Sequence, residues 1–473
     1  MKKRLQSIHK ATMRILERTG VKFHHPEAVE ILKSNGIRVE KKIAYFTEEQ
    51  VMEWVKKAPE QFVLYGKNEK YNVTIGGDEV VTAPGYGAPF IAMPDGERRD
   101  ALIEDYIEIC KLFEQNSNFQ VNGGVLVQPA DLAAEHALEV MYYMSLLYSD
   151  KCIMTGAGDK AQMETLMEMA KILFGGEKAL KEKPRMITLV NTNTPLQLDK
   201  NMTETLFAYA RNRQPVVIAS LAQAGLTSPL TLAGTIAVAN AEVLAAIALC
   251  QMVSPGTPVV YGSQSTTADM RSGATAIGSP EGALCYRYGA LLSKMYGLPC
   301  RGGGSLTDAK TVNAQAGYES MLTMMVCQEN HMNFILHSAG IVDGYASMSY
   351  EKIIMDFEVL DYLARYRKGF EINEDTIPED LIHEIGQKGQ YLTAEHTFTY
   401  CRTEPLTPKI SCRGEVEHLS DQLERNIEAE RKRLLEEYQM PKMEPEKKNK
   451  LIELLVQKGV DPELLSRIAT FHS

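Results

Sequence analysis

Between residues 80 and 368 one short pattern recurs eight times: an apolar, β-rich run ending in small or polar residues, a turn, then an amphipathic stretch with helical spacing. The runs are 80–83 (or nearby 90–92), 119–121, 152–154, 186–190, 215–219, 258–261, 298–301 and 333–336. Helices are predicted after them, over 102–114, 133–147, 162–173, 203–211, 233–252, 281–295, 313–327 and 351–366. Short runs that are apolar throughout are buried on both faces, as parallel strands are. Eight such units of about 30–40 residues predict a closed (β/α)8 barrel of the α/β class, the TIM barrel.

The barrel is expected over 80–368. Residues 1–79 read as an N-terminal α+β appendage, with helices at 5–18, 26–34 and 48–57 and extended pieces at 43–46, 62–65 and 72–75. After Lys368 the period lapses. Residues 369–473 are expected to form a C-terminal extension: a wrapping segment to 415, a helix over 415–438 and a helical piece around 451–456. Leu423, Ile427, Leu434 and Leu435 form an apolar stripe, suited to a subunit contact in a homo-oligomer or to packing on the same barrel.

Charge and cysteine usage narrow the function classes. A net charge of −10, with no basic cluster interleaved with aromatics, argues against a nucleic-acid partner. The eight cysteines are scattered with no Cys-x-x-Cys, as expected of reduced thiols in a cytoplasmic protein. The longest apolar stretch, 233–253, is interrupted by Asn240, Glu242 and Gln251, so no membrane span is expected. The charged N-terminus continues as an amphipathic helix rather than a signal-peptide core. Phosphate-loop, dinucleotide, zinc-hydrolase and nucleophile-elbow motifs are all missing, and no metal-ligand spacing is present.

The ends of the runs carry the polar residues: Asn122-Gly-Gly, Thr155-Gly-Ala-Gly, Asn191-Thr-Asn-Thr, Ser220, Gly262-Ser-Gln264, Gly302-Gly-Gly and His337-Ser-Ala-Gly. In a barrel they all fall on the C-terminal rim, where such folds place their sites. The stretch Arg301-Gly-Gly-Gly-Ser-Leu-Thr-Asp-Ala-Lys310 reads as strand, tight turn and helix start, with glycines free to take positive φ and helix N–H groups open to an anion. Tyr86 and Phe90, in a Pro- and Gly-bounded loop, and Tyr345 beyond the last strand, add aromatic faces. They either plug the barrel mouth or wall a ligand, and such faces suit a desolvated quaternary ammonium.

The segments Arg301–Lys310 with Gln315-Ala-Gly-Tyr318-Glu319, Gly278-Ser-Pro-Glu-Gly282 and Asn333-Phe-Ile-Leu-His337-Ser-Ala-Gly340 resemble the trimethylamine methyltransferase superfamily. With ordinary residues where founding members carry pyrrolysine, the chain is similar to the non-pyrrolysine branch. The resemblance implies a TIM barrel that moves a methyl group from a quaternary amine of the glycine betaine or proline betaine class to the reduced cobalt of a separate corrinoid protein. This chain lacks Asp-x-His-x-x-Gly, so the corrinoid is expected on the partner and no cofactor on the chain itself.

On that reading His337 holds the substrate carboxylate, as a neutral or a charged ring, or is a core histidine. Gln264 and Asn122 orient the carboxylate or a water, and Tyr86, Phe90 and Tyr345 wall the methylammonium. Asp308 attracts the cation or caps a helix. Arg301 is expected to brace the glycine turn, and Lys310 to pair with Glu319 or face solvent. Two other functions stay open: a barrel lyase or aldolase with Lys310 as Schiff-base nucleophile, and a non-catalytic betaine-binding protein.

Overall fold

Each apolar run becomes a strand because its side chains have somewhere to go on both faces. The computed structural model describes residues 1–387, 389–415 and 421–471. Its parallel strands are β1 (Val81–Thr82), β2 (Val121–Gly123), β3 (Cys152–Thr155), β4 (Met186–Asn191), β5 (Val216–Ser220), β6 (Val259–Ser263), β7 (Cys300–Gly303) and β8 (Phe334–Leu336). They neighbour one another in the order β1-β8-β7-β6-β5-β4-β3-β2. Alternate residues separate the two faces: Val217 and Ala219 fill the lumen, while Val216 and Ile218 pack outward on helices. The seam between β1 and β2 is closed by side chains. Thr82 N–H donates to Gln120 Oε1 at 3.4 Å, and the Thr82 hydroxyl donates to Asn118 O.

The outer ring is α1 (Ile103–Gln115), α2 (Ala137–Tyr148), α3 (Lys160–Phe174), α4 (Lys200–Arg211), α5 (Leu232–Val253), α6 (Pro280–Tyr296), α7 (Ala314–Glu329) and α8 (Tyr350–Lys368). Local chemistry sets several boundaries. Asp159 and Gln162 form a capping box on α3, Ser279 precedes Pro280 at the start of α6, and left-handed Gly175 and Gly297 end α3 and α6. Helix α5 is long and apolar enough to cross a membrane, but 89% of its apolar window is buried. It lies between the barrel strands and the N-terminal helices Lys2–Arg18, Pro26–Ser34 and Glu48–Val55.

The N-terminal region adds two short strands the sequence does not announce, Val21–Phe23 and Arg38–Glu40. More important for the site is the hairpin Gln61–Leu64/Val73–Gly76: its Phe62, Leu64 and Ile75 join the apolar lumen from the N-terminal end and stopper the floor. At the other end a four-stranded sheet (Ile341–Val342, Ser347–Met348, Phe90–Ala92, Arg98–Asp100) stands beside the mouth. The stretch 90–92 therefore belongs to this sheet, and the first barrel strand is Val81–Thr82.

Glu358 fastens the wrapping segment by accepting from the backbone N–H groups of Lys409, Ile410 and Ser411 at 2.7–2.8 Å. Two short helices within it, Glu379–Ile385 and Glu395–Tyr400, bury nothing, which explains why no period marks them. The predicted 415–438 helix is observed as Gln422–Glu436; its expected first turn, 416–420, lies outside the described residues. Ile427 and Leu434 are buried and the helix packs on α1 and α8, so most of the apolar stripe serves its own barrel. The chain continues through Pro445–Gln457, longer than expected, and Pro462–Ala469; residues 472–473 are outside those described.

Candidate active site

Strand register determines what enters the lumen. Arg301 on β7 is paired with Gly262 on β6 and Phe334 on β8, and Phe334 faces the interior. Arg301 therefore points inward, and it is only 1% exposed. Nη1 donates to Gln264 Oε1, while Nε is buried with no partner. Burial lowers its pKa, but a guanidinium begins so far above neutrality that it keeps its charge.

Gln264 is the hub. Its Nε2 donates to the Tyr286 hydroxyl at 3.1 Å and to the Tyr345 hydroxyl. Tyr286 reaches in from α6; Tyr345 comes from the 3-10 turn Asp343–Tyr345, which links two strands of the sheet beside the mouth. The His337 ring centroid lies 5.0 Å from that of Tyr345 and 6.4 Å from that of Tyr86. Tyr86 lies over Gly124, where a Cβ would fall 3.1 Å from the ring. Burial raises the pKa of both phenols. His337 Nδ1 is buried without a partner, and burial, then the charge of Arg301, hold the ring well below its ordinary pKa. The imidazole is neutral at neutral pH. The result is a buried, largely aromatic cluster with one fixed positive charge and unsatisfied polar atoms.

The glycine run makes this convergence possible, though not as expected. None of Gly302, Gly303 and Gly304 has a positive φ. A Cβ on Gly304 would lie 2.6 Å from His337 O, and one on Gly303 would lie 2.6 Å from the Tyr286 hydroxyl. The glycines let three elements close on one another. The helix start is not at the site either: α7 begins at Ala314, capped by Asn313, whose side chain accepts from Ala316 N–H. Beyond the ends of β7 and β8, the buried Lys352 ammonium donates to Ser305 O at 3.1 Å and to Asp356 at 2.6 Å, and Asp356 accepts from Gly340 N–H at 2.8 Å. That pair ties the end of β7 to the end of β8.

Residues 1–460 match the trimethylamine methyltransferase (MTTB) family. The chain belongs to this family. It is 44% identical to a glycine betaine methyltransferase of Desulfitobacterium hafniense (strain Y51) over 96% of each chain. It is 32% identical to the trimethylamine methyltransferase MttB of Methanosarcina thermophila over 83% of each. A solved structure, the monomethylamine methyltransferase MtmB of Methanosarcina barkeri, is 11% identical, with a TM-score of 0.48 over 91% of this chain and 97% of that one.

In this methyltransferase, four of the expected residues, Tyr86, Gln264, His337 and Tyr345, meet at the mouth. Three do not. Asn122 is fully buried and turned outward: its side chain donates to Cys110 O on α1 at 2.9 Å and accepts from Gly123 N–H. The one-residue alternation of a strand puts it behind Val121, which faces the lumen. Phe90 already carries a cation, since the Arg98 guanidinium stacks on its ring at 4.4 Å. Asp308 accepts from Ile277 and Gly278 N–H at 2.9 and 3.1 Å, so it braces the turn before α6 and caps no helix on its own element.

Two other expectations change. Lys310 pairs with Asp343 rather than Glu319, while the solvent-facing alternative holds: its side chain is 71% exposed, which removes the desolvation a Schiff-base lysine needs. The rim ends of β4 and β5 are occupied by a structural carboxylate: buried Glu242 of α5 accepts from Thr192, Thr194 and Ser220 hydroxyls at 2.6–3.0 Å. Arg301, expected to brace the glycine turn rather than touch substrate, instead points into the barrel and bonds Gln264. Its one signal in the sequence is a lone basic residue at the end of an apolar run.

Proposed function

We propose that this chain transfers a methyl group from a small quaternary amine of the betaine class, glycine betaine or proline betaine, to the reduced cobalt of a separate corrinoid protein. The observation that carries this reading is the cluster around His337: aromatic, desolvated and with its imidazole uncharged. A quaternary ammonium is attracted to such faces and would be repelled by an imidazolium. The 44% identity to a glycine betaine methyltransferase supports the substrate class.

The ammonium brings its charge with it. When the methyl–nitrogen bond breaks, the bonding pair stays on nitrogen and a neutral tertiary amine leaves, so no proton has to be delivered. The chain's own residues bind, orient and exclude water. Tyr86 and Tyr345 flank the cation, and the Gln264 hub fixes Tyr345. Catalysis then rests on aiming one methyl at the acceptor. We place this activity in the cytoplasm and in a homo-oligomer.

The test is spectroscopic. With the cognate corrinoid protein reduced, adding enzyme and glycine betaine together should abolish the cob(I) absorption band. If it persists with every betaine tested, the chain only binds its ligand and the methyl-transfer reading falls.

A further inference from the structure

We infer that Arg301 is the carboxylate anchor of this site, the residue that makes it select a zwitterionic amine over one without a carboxylate. The inference rests on the methyl-transfer reading for the identity of the ligand, but its physical basis is independent of it. A guanidinium removed from water without a countercharge is costly, and proteins ordinarily pair such a group.

No protein carboxylate is available to it. Among the described residues Arg301 has no ion-pair partner, and its one hydrogen bond is to a neutral amide. The carboxylates on neighbouring elements are engaged elsewhere. Asp308 holds two backbone N–H groups, and Asp356 holds Lys352. Glu319 accepts from Thr307, Asp308 N–H and Gln315 at 2.7–3.0 Å. The missing negative charge must come from the ligand. A carboxylate accepting from the free side of the guanidinium, including the orphaned Nε–H, fits the planar fork.

The same geometry fixes the other end of the ligand. Arg301 and Tyr345 meet on the two ends of one amide, that of Gln264, so anchor and aromatic wall are a single amide group apart. A zwitterion with one carbon between carboxylate and ammonium spans that separation; a longer one has to fold or protrude. Arg301 also discourages protonation of His337, so binding the carboxylate and keeping the imidazole beside the cation uncharged fall to one side chain.

The test uses binding to the full-length chain without the corrinoid protein, measured calorimetrically, with glycine betaine and with choline, which carries an alcohol in place of the carboxylate. Wild type should bind glycine betaine about thirtyfold or more tighter than choline, the scale of a buried charged pair. Arg301→Gln should erase that gap by weakening betaine about thirtyfold while choline stays within about threefold, and Arg301→Lys should recover part of the loss. Betaine affinity in Arg301→Gln within about threefold of wild type overturns the anchor. If Arg301→Gln does not fold, the wild-type pair decides: equal affinity for choline and betaine, or no affinity for betaine, overturns it. Betaine binding that depends on Arg301, without loss of the cob(I) band, leaves the anchor standing and removes the methyl-transfer reading alone.

Discussion

Tyr345 holds its hydroxyl against Gln264 from a backbone position, φ 76°, that bulky residues rarely occupy. Asp343 and Gly344 before it are left-handed too, at 54° and 59°. Asp343 pins the turn through Lys310, through Arg98 at 3.4 Å and through its N–H to Ala309 O at 2.9 Å. Backbone strain of this kind, of order 1–3 kcal/mol, persists where surrounding contacts over-determine it, commonly at ligand clamps.

Tyr345→Phe keeps the ring and removes the hydroxyl, so kcat/KM for betaine demethylation should fall about tenfold, ~1.4 kcal/mol. Tyr345→Gly should relieve the strain while losing the packed ring, so its net loss of stability should fall about 1–3 kcal/mol short of that of Tyr345→Ala, with more than about a hundredfold lost in kcat/KM. Thermal melts beside steady-state rates check both. A glycine variant no more stable than the alanine variant would mean the turn is not strained.

Gln264→Glu should separate stability from function. A carboxylate there would accept from Arg301, Tyr286 and Tyr345 at once, and hydrogen bonds to charged groups contribute about 1.5–3 kcal/mol. The variant should melt a few degrees higher, and its KM for betaine should rise more than about tenfold because the guanidinium is already neutralised. An unchanged KM would contradict the site geometry.

The pH dependence follows from His337. Burial and Arg301 depress its folded pKa below the ordinary 6.5, so between those two values the unfolded chain binds a proton that the folded chain refuses. The contribution to stability is complete above the unfolded value and is lost as pH falls toward the folded one. Urea midpoints at about pH 7.5 and 5.5 should therefore drop further for wild type than for His337→Gln. Equal drops would show that His337 takes up its proton normally in the folded state.

The barrel was legible because its grammar is local. Eight apolar runs and their helices can be read from spacing and turn residues, and the strands fell on or beside the expected positions. The site was only half legible. His337 and Gln264 stand at run ends, where position along the chain suffices. Asn122 also stands at a run end, yet strand alternation turns it outward, and that depends on a register no spacing reveals. Arg301 was not singled out because the role we infer for it rests on an absence, the lack of an unengaged carboxylate beside it among the described residues, and such an absence exists only in three dimensions. The small sheets were hidden for a similar reason: strands of two or three residues are held by partners distant in sequence.

Gly304→Ala should damage fold and site together. The added carbon would press on the backbone of His337 and Ser338, which cannot swing aside as a side chain can. A loss of about 1–3 kcal/mol in stability is expected, with kcat/KM lowered more than about tenfold. A variant with normal melting and normal rates would mean the ends of β7 and β8 are looser than described.

Phe370, Ile372, Leu392 and Phe398 are each at least 72% exposed. That is a large apolar display for one segment, and we expect a second copy of the chain to cover it. Light scattering at micromolar concentration should report more than one copy, and Phe370→Ser with Phe398→Ser should reduce the mass. A strictly monomeric wild type would remove this prediction.

With Phe62, Leu64 and Ile75 stoppering the floor, the door that the site faces is the rim at the other end of the barrel. On the proposed reaction, amine and methyl acceptor must both use that door, and they cannot share it: an acceptor protein seated on the rim blocks the path of the small molecule. The amine must therefore board first, and the demethylated product can disembark only after the acceptor protein departs. Turnover becomes a queue, in which excess acceptor protein slows the reaction by closing the doorway on an empty room.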